Sequence, residues 1–116
     1  MQIQVNTDDN ISGRETLVAR VQEDVEQGLA RFAQQVTRIE VHLSDENAAK
    51  PGDNDKRCLM EARPSGQKPV AVTHMAATLP EAWAGAIKKL RALLDTQLGK
   101  LNEKKGAESI RDNELR

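Results

Sequence analysis

A chain of 116 residues is enough for one compact domain and too short for two ordinary ones. Its 17 basic and 18 acidic residues leave a formal net charge of −1, so total charge makes no case for nucleic-acid binding; any such contact has to come from local clustering. Aromatics amount to 2%, Phe32 and Trp83, too few for a module that reads single-stranded bases by stacking.

Cys58 is the only cysteine, so no internal disulfide can form, as suits a reducing compartment. No apolar run is long enough to span a bilayer. The start, Met1-Gln2-Ile3-Gln4-Val5-Asn6, lacks the basic and apolar regions of a signal peptide, so the expected location is the cytoplasm.

Residues 2–6 alternate, with Ile3 and Val5 on one side and Gln2, Gln4 and Asn6 on the other, which predicts a short half-buried strand. Thr7-Asp8-Asp9-Asn10 is turn chemistry. Ser12, with Glu15 three residues on, has the form of a capping box. Leu17, Val18, Val21, Val25, Leu29 and Phe32 then recur every three or four residues, an apolar stripe that predicts a helix of about five turns. Gly28 inside it weakens the helix by about 1 kcal/mol unless something packs closely there.

Thr37–Ser44 gives the clearest strand pattern, with Ile39, Val41 and Leu43 opposed to Arg38, Glu40, His42 and Ser44. Residues 45–55 are polar, contain Pro51-Gly52, and read as a mobile loop. Lys56–Arg63 is a third strand with Cys58, Met60 and Ala62 inward. Pro64-Ser65-Gly66-Gln67 turns the chain into a fourth strand over Lys68–Ala76. Thr78 and Glu81 form a second capping box, with Pro80 in the first turn, where a missing N–H does no harm. Leu79, Trp83, Ile87, Leu90, Leu94, Leu98 and Leu101 continue as the apolar stripe of a last helix, which Gly106 is expected to end. A single domain over 1–105 is expected, with 106–116 as a disordered polar tail.

The order β-α-β-β-β-α, with two amphipathic helices and one apolar sheet face, predicts an α+β two-layer sandwich. Its four-stranded sheet is mixed: the first crossover makes two strands parallel, and the remaining pairs are antiparallel. The outer sheet face stays open and carries Arg38, Glu40, His42, Arg57, Glu61 and Arg63.

The element order, the strand IEVHLSDE, the segment KRCLMEARP and the helix start TLPEAWAGAIKKL resemble the ribosome hibernation-promoting factors, the family of the ribosome-associated inhibitor called protein Y. The likeness covers residues 1–103 and is closest to the short, single-domain form. It implies a non-enzymatic protein of stress or stationary phase. Such a protein docks on the small ribosomal subunit in the channel of messenger and transfer RNA, and regulates translation by blocking it. Aligning the last helix by its cap and apolar stripe carries the family's rRNA-binding role onto Lys89 and Lys100. Lys88, Arg91, Lys104 and Lys105 are basic neighbours able to share it, and Arg57 and Arg63 on the open sheet face are secondary candidates. The chain departs from the family on the outer face of its first helix, which carries Glu23, Asp24, Glu26 and Gln27 where lysines are usual. Either docking uses the second helix and the sheet alone, or the partner is no longer the decoding channel.

From Glu81 to Lys105 six cations face three carboxylates, a net of +3. At 100° per residue Lys88 lies opposite the apolar stripe, with Lys89 and Arg91 on its flanks. A solvated helix face with cations toward its C-terminus accounts for the same pattern without any ligand. His42, His74 and Cys58 have no CxxC or HxxxH spacing and suggest no metal. The Asp53-Asn54-Asp55 run lacks the glycine and closing glutamate of a calcium loop. Cys58 has no adjacent base, and Arg57 points to the other face of its strand. No catalytic group, cofactor or small-molecule substrate is therefore expected. The competing reading is a protein-interaction module that uses the open sheet face or an edge strand, with self-association through the open sheet as one form of it.

Overall fold

A computed structural model of the chain describes the backbone of residues 1–8, 13–46 and 55–114, with side chains described as far as Gly99. The elements are β1 (Gln2–Thr7), α1 (Arg14–Gly28), a 3-10 turn (Ala30–Phe32), β2 (Val36–Asp45), β3 (Lys56–Pro64), β4 (Val70–Ala76) and α2 (Leu79–Glu114). The strands lie in the order β1-β2-β3-β4. β1 runs parallel to β2, with Ile3 beside Ile39 and Val5 beside Val41, while β2–β3 and β3–β4 are antiparallel. This is the predicted mixed sheet and α+β sandwich.

Strand alternation sends Ile39, Val41 and Leu43 of β2 and Cys58, Met60 and Ala62 of β3 to one face, where all are buried. α1 covers that face with Val21 and Val25, and α2 with Trp83, Ile87, Leu90, Leu94 and Leu98. Burying side chains of this size stabilises the fold by about 1.5–3 kcal/mol each, which is why both helices settle on the same face.

Two helix boundaries differ from the sequence reading. Gly13, in the left-handed region at φ 67°, stands at the N-cap of α1 and no side chain caps it. Ser12, read as that cap, lies outside the described residues, as does the 47–54 stretch of the loop read as mobile. At its other end α1 stops at Gly28 rather than running on to Phe32. Leu29 makes the closing bond to the Val25 carbonyl (2.9 Å), and Phe32 is buried from the 3-10 turn. A 3-10 turn keeps a three-residue spacing, so the apolar pattern alone does not separate it from another turn of α-helix.

α2 opens as predicted. The Glu81 N–H donates to Thr78 Oγ1 (3.3 Å), and the Thr78 hydroxyl donates to Glu81 Oε1 (3.1 Å), closing the capping box. The helix passes Gly106, its predicted end, and reaches Glu114. A lone glycine costs a helix about 1 kcal/mol and does not by itself stop it.

Two glycines let the layers approach. A Cβ at Gly28 would come 2.6 Å from Cγ2 of Ile87, so glycine brings α1 against α2. A Cβ at Gly85 would run into the ring of His74, which β4 turns toward the helices. Each edge strand also receives a donor from a helix: Gln22 Nε2 reaches the Ile3 carbonyl of β1 at 3.5 Å, and Lys89 Nζ the Thr73 carbonyl of β4 at 2.9 Å.

Candidate nucleic-acid interface

The apolar stripe that fixes α2 on the sheet also decides where its cations go. Lys88, between the buried Ile87 and Leu90 stripe positions, is exposed on the outer side of the helix. Lys89 lies on one flank and is held over the β4 edge by its bond to Thr73. Arg91 lies on the other flank and donates from Nη1 to the Gly28 carbonyl (3.4 Å). That contact places a cation at the C-terminal end of α1, whose own last turn has no basic residue, an arrangement the helix dipole favours. Both Lys89 and Arg91 remain exposed. The side chains of Lys100, Lys104 and Lys105 lie outside the described residues.

Arg57 and Arg63 are not part of this group. They rise from β3 on the open sheet face, the opposite side of the sandwich from Lys88. Arg63 pairs with Glu61 (3.5 Å) and Arg38 with Glu40 (3.2 Å), while His42 Nε2 sits 3.5 Å from the other Glu40 oxygen and Arg38 also bonds Gln4. Glu40 and Glu61 are direct cross-strand partners, a like-charge juxtaposition that the two arginines offset. Arg57, half-buried between Ser44 and Met75, has no carboxylate partner among the described residues.

The acidic side of α1 has a structural use that the sequence did not reveal. Asp24 accepts a hydrogen bond from the indole Nε1 of Trp83 (2.7 Å), and the Arg20 guanidinium lies 5.6 Å from the centre of the Trp83 ring. Trp83 is thus core, as predicted, with its one polar atom satisfied by a helix carboxylate. Arg31 of the 3-10 turn pairs with Asp95 of α2 beside a shallow open hollow that Phe32 and Leu98 also line. At the far end of the sheet Lys56 Nζ binds Asp55 (2.8 Å) and Asp45 (3.4 Å), and Asp8 accepts from the Asp45 N–H (3.2 Å). The hydrogen bond to Asp55 is the main cause holding the Lys56 ammonium above its ordinary value, against a smaller opposing effect of burial.

Cys58 and His74 turn out to be cross-strand neighbours on the helix-facing side of the sheet, a proximity the sequence reading did not foresee. Burial pushes the Cys58 thiol up to about 12, and nearby Arg57 lowers it only in part. It is therefore a neutral thiol at neutral pH, unsuited to nucleophilic attack. Among the described residues no three His, Cys, Asp or Glu side chains gather as metal ligands, and no helix is long and apolar enough to cross a membrane.

A consequence is measurable. A thiol reagent at pH 8 leaves Cys58 unmodified in the folded protein and modifies it fully in urea. Because the folded value lies above the unfolded one near 9, the stability due to the protonated thiol is complete below about pH 9 and is lost as pH rises toward about 12. Cys58→Ala flattens that alkaline decline; an unchanged decline would mean that the thiol is not its source.

Fold and site together define a small two-layer α+β domain whose distinctive chemistry is a set of surface cations on one helix. Residues 3–105 match the family described as Sigma 54 modulation protein / S30EA ribosomal protein, and the chain belongs to that ribosome-associated family. Among solved structures it is similar to a ribosomal subunit interface protein from Coxiella burnetii, with 13% identity and a TM-score of 0.62 over 85% of this chain and 99% of that one. It is also similar to the N-terminal domain of Thermus thermophilus Protein Y, with 20% identity and a TM-score of 0.60 over 83% of this chain and 98% of that domain. At these identities the structural likeness is one of fold. No curated protein matches the chain by sequence.

Proposed function

We propose that the protein is a cytoplasmic, non-enzymatic hibernation factor that binds the small ribosomal subunit through ribosomal RNA and inhibits translation by occupying the channel. Residues 1–105 form the docking domain, with the polar 106–116 segment an appendage to it. Exposed Lys88, flanked by Lys89 and Arg91 on the outer side of α2 in a member of a ribosome-associated family, is the observation that carries this reading. Lys88, Lys89, Arg91 and Lys100 face phosphates, and Arg57 and Arg63, on the opposite surface, serve a second contact or none. The interaction needs no catalytic group: cations replace the counterions of the RNA backbone, and the bulk of the domain excludes other ligands.

Asp24 lends the reading support, because its bond to Trp83 gives one of the α1 carboxylates a role within the fold. Glu23 and Glu26 remain exposed on α1 and favour a second reading, a protein partner with complementary positive charge. Co-sedimentation with purified small subunits across a salt series separates the two. Binding through four phosphate contacts gives a log–log salt slope of about −3, so affinity falls by about 10²-fold between 50 and 200 mM salt. Absence of binding at the lowest salt sinks the ribosomal reading and leaves the protein partner.

A further inference from the structure

β4 is an edge strand, and its seven residues, VAVTHMA, include no Lys, Arg, Asp, Glu or Pro. Edges of globular sheets are ordinarily blunted by such residues, because a bare row of N–H and C=O groups is a template for another strand. Here the blunting comes from another element. Lys89 of α2 reaches over and donates to the carbonyl of Thr73, the middle residue of the strand.

That bond also fixes which backbone groups face outward. In an antiparallel ladder alternate residues turn both N–H and C=O toward the neighbour or both away from it. With the Thr73 carbonyl turned to Lys89, the N–H and C=O groups of Ala71, Thr73 and Met75 point away from β3. The side chains of these three residues lie together on the open sheet face, opposite Glu61, Leu59 and Arg57. Met75 is 40% exposed, the most exposed large apolar side chain among the described residues.

We infer that β4 is a self-pairing edge for a second copy of this chain, and that Lys89 keeps it closed. A two-fold axis at Thr73 sets Thr73 against the partner's Thr73, and Ala71 against the partner's Met75, and the reverse. Three such pairs exchange about six backbone hydrogen bonds. The methionine of each copy covers the alanine of the other, the threonines meet at the axis, and no charge opposes a like charge within the paired strands. Lys89 blocks this arrangement twice over. It occupies the carbonyl at the axis, and its charge would meet the same charge of the second copy there. The pairing does not depend on the ribosomal reading. If that reading holds, a phosphate that draws Lys89 away from Thr73 also opens the edge.

The test is sedimentation velocity of the full chain over a wide concentration range, without ribosomes, for the wild type, Lys89→Met, and Lys89→Met combined with Thr73→Pro. The wild type is expected to sediment as one chain. Lys89→Met, which keeps an apolar stem and removes the charge, shifts toward two chains as concentration rises. Thr73→Pro removes an outward N–H, which an edge strand tolerates, and restores the single chain. Where Thr73→Pro lowers the melting temperature, Met75→Lys at an exposed position is the substitute that puts a charge into the pair. A Lys89→Met protein that stays single at every concentration overturns the inference. So does a wild type that already pairs, or a dimer that survives both Thr73→Pro and Met75→Lys.

Discussion

On the proposed reading, replacing Lys88, Lys89, Arg91 and Lys100 together by glutamate is expected to abolish association with small ribosomal subunits while leaving a folded protein. Each cation that neutralises a phosphate contributes about 0.7–0.9 to the log–log salt slope, and reversal adds repulsion to its loss. Among the described residues the contacts given up are modest: a lysine at the Thr73 carbonyl and a long arginine bond to Gly28, both at exposed positions. Circular dichroism and thermal melting of the variant should therefore stay close to wild type. Single replacement by alanine grades the site. Lys88→Ala, with no bond within the described protein to compensate, should flatten the slope by nearly one contact. A quadruple variant that still co-sediments would show that α2 is not the surface facing the RNA. The same assay resolves the role of α1. Glu23→Lys with Glu26→Lys tightens binding if that helix lies near phosphates, and leaves it unchanged if α2 docks alone.

The second large effect is on stability. Trp83→Ala is expected to cost about 3–5 kcal/mol, as large-to-small changes of a buried aromatic do. Set against a total stability of about 5–15 kcal/mol, this is a large fraction of the margin, and it unfolds much of the population only at the low end of that range. Trp83 is 1% exposed and sits where α2, α1 and the sheet meet. Trp83→Phe separates its two contributions, since it keeps an aromatic ring but removes the indole donor to Asp24 and lowers stability by about 1 kcal/mol. Urea unfolding followed by circular dichroism measures both, because the variants lose the only tryptophan. A loss below 1 kcal/mol for Trp83→Ala would contradict the central place given to this side chain.

The fold was legible because periodicity and caps agree with tertiary packing at nearly every element. Ile39, Val41 and Leu43 alternate in the sequence and are all buried in the sheet, and the Thr78–Glu81 box forms as written. The family resemblance, read from the strand and helix patterns, is borne out by the match over residues 3–105. The errors lie at helix ends. The spacing from Leu29 to Phe32 fits a 3-10 turn as well as an α-helix, and Gly106 carries the composition of a stop without the geometry of one. The candidate site was legible only in part. Helical angles put Lys89 and Arg91 on opposite flanks of Lys88, and so they are. What each flank touches depends on side-chain reach across elements, 16 residues for Lys89 to Thr73 and 63 for Arg91 to Gly28, which no local pattern contains. The bond from Trp83 to Asp24 spans 59 residues and was invisible for the same reason.

The position of α2 at the end of the described order has a consequence for synthesis. Until it leaves the ribosome that makes it, Ile39, Val41, Leu43 and Met60 lack the layer that hides them, and the four strands have only α1 to shelter one side of their apolar face. Domains fold as units during translation, so the unfinished chain has to wait with its sheet surface uncovered. The segment that closes the core is also the one bearing Lys88, Lys89 and Arg91. A nascent chain therefore gains its covered sheet and its helix-borne cations in a single event, and before that moment it has neither.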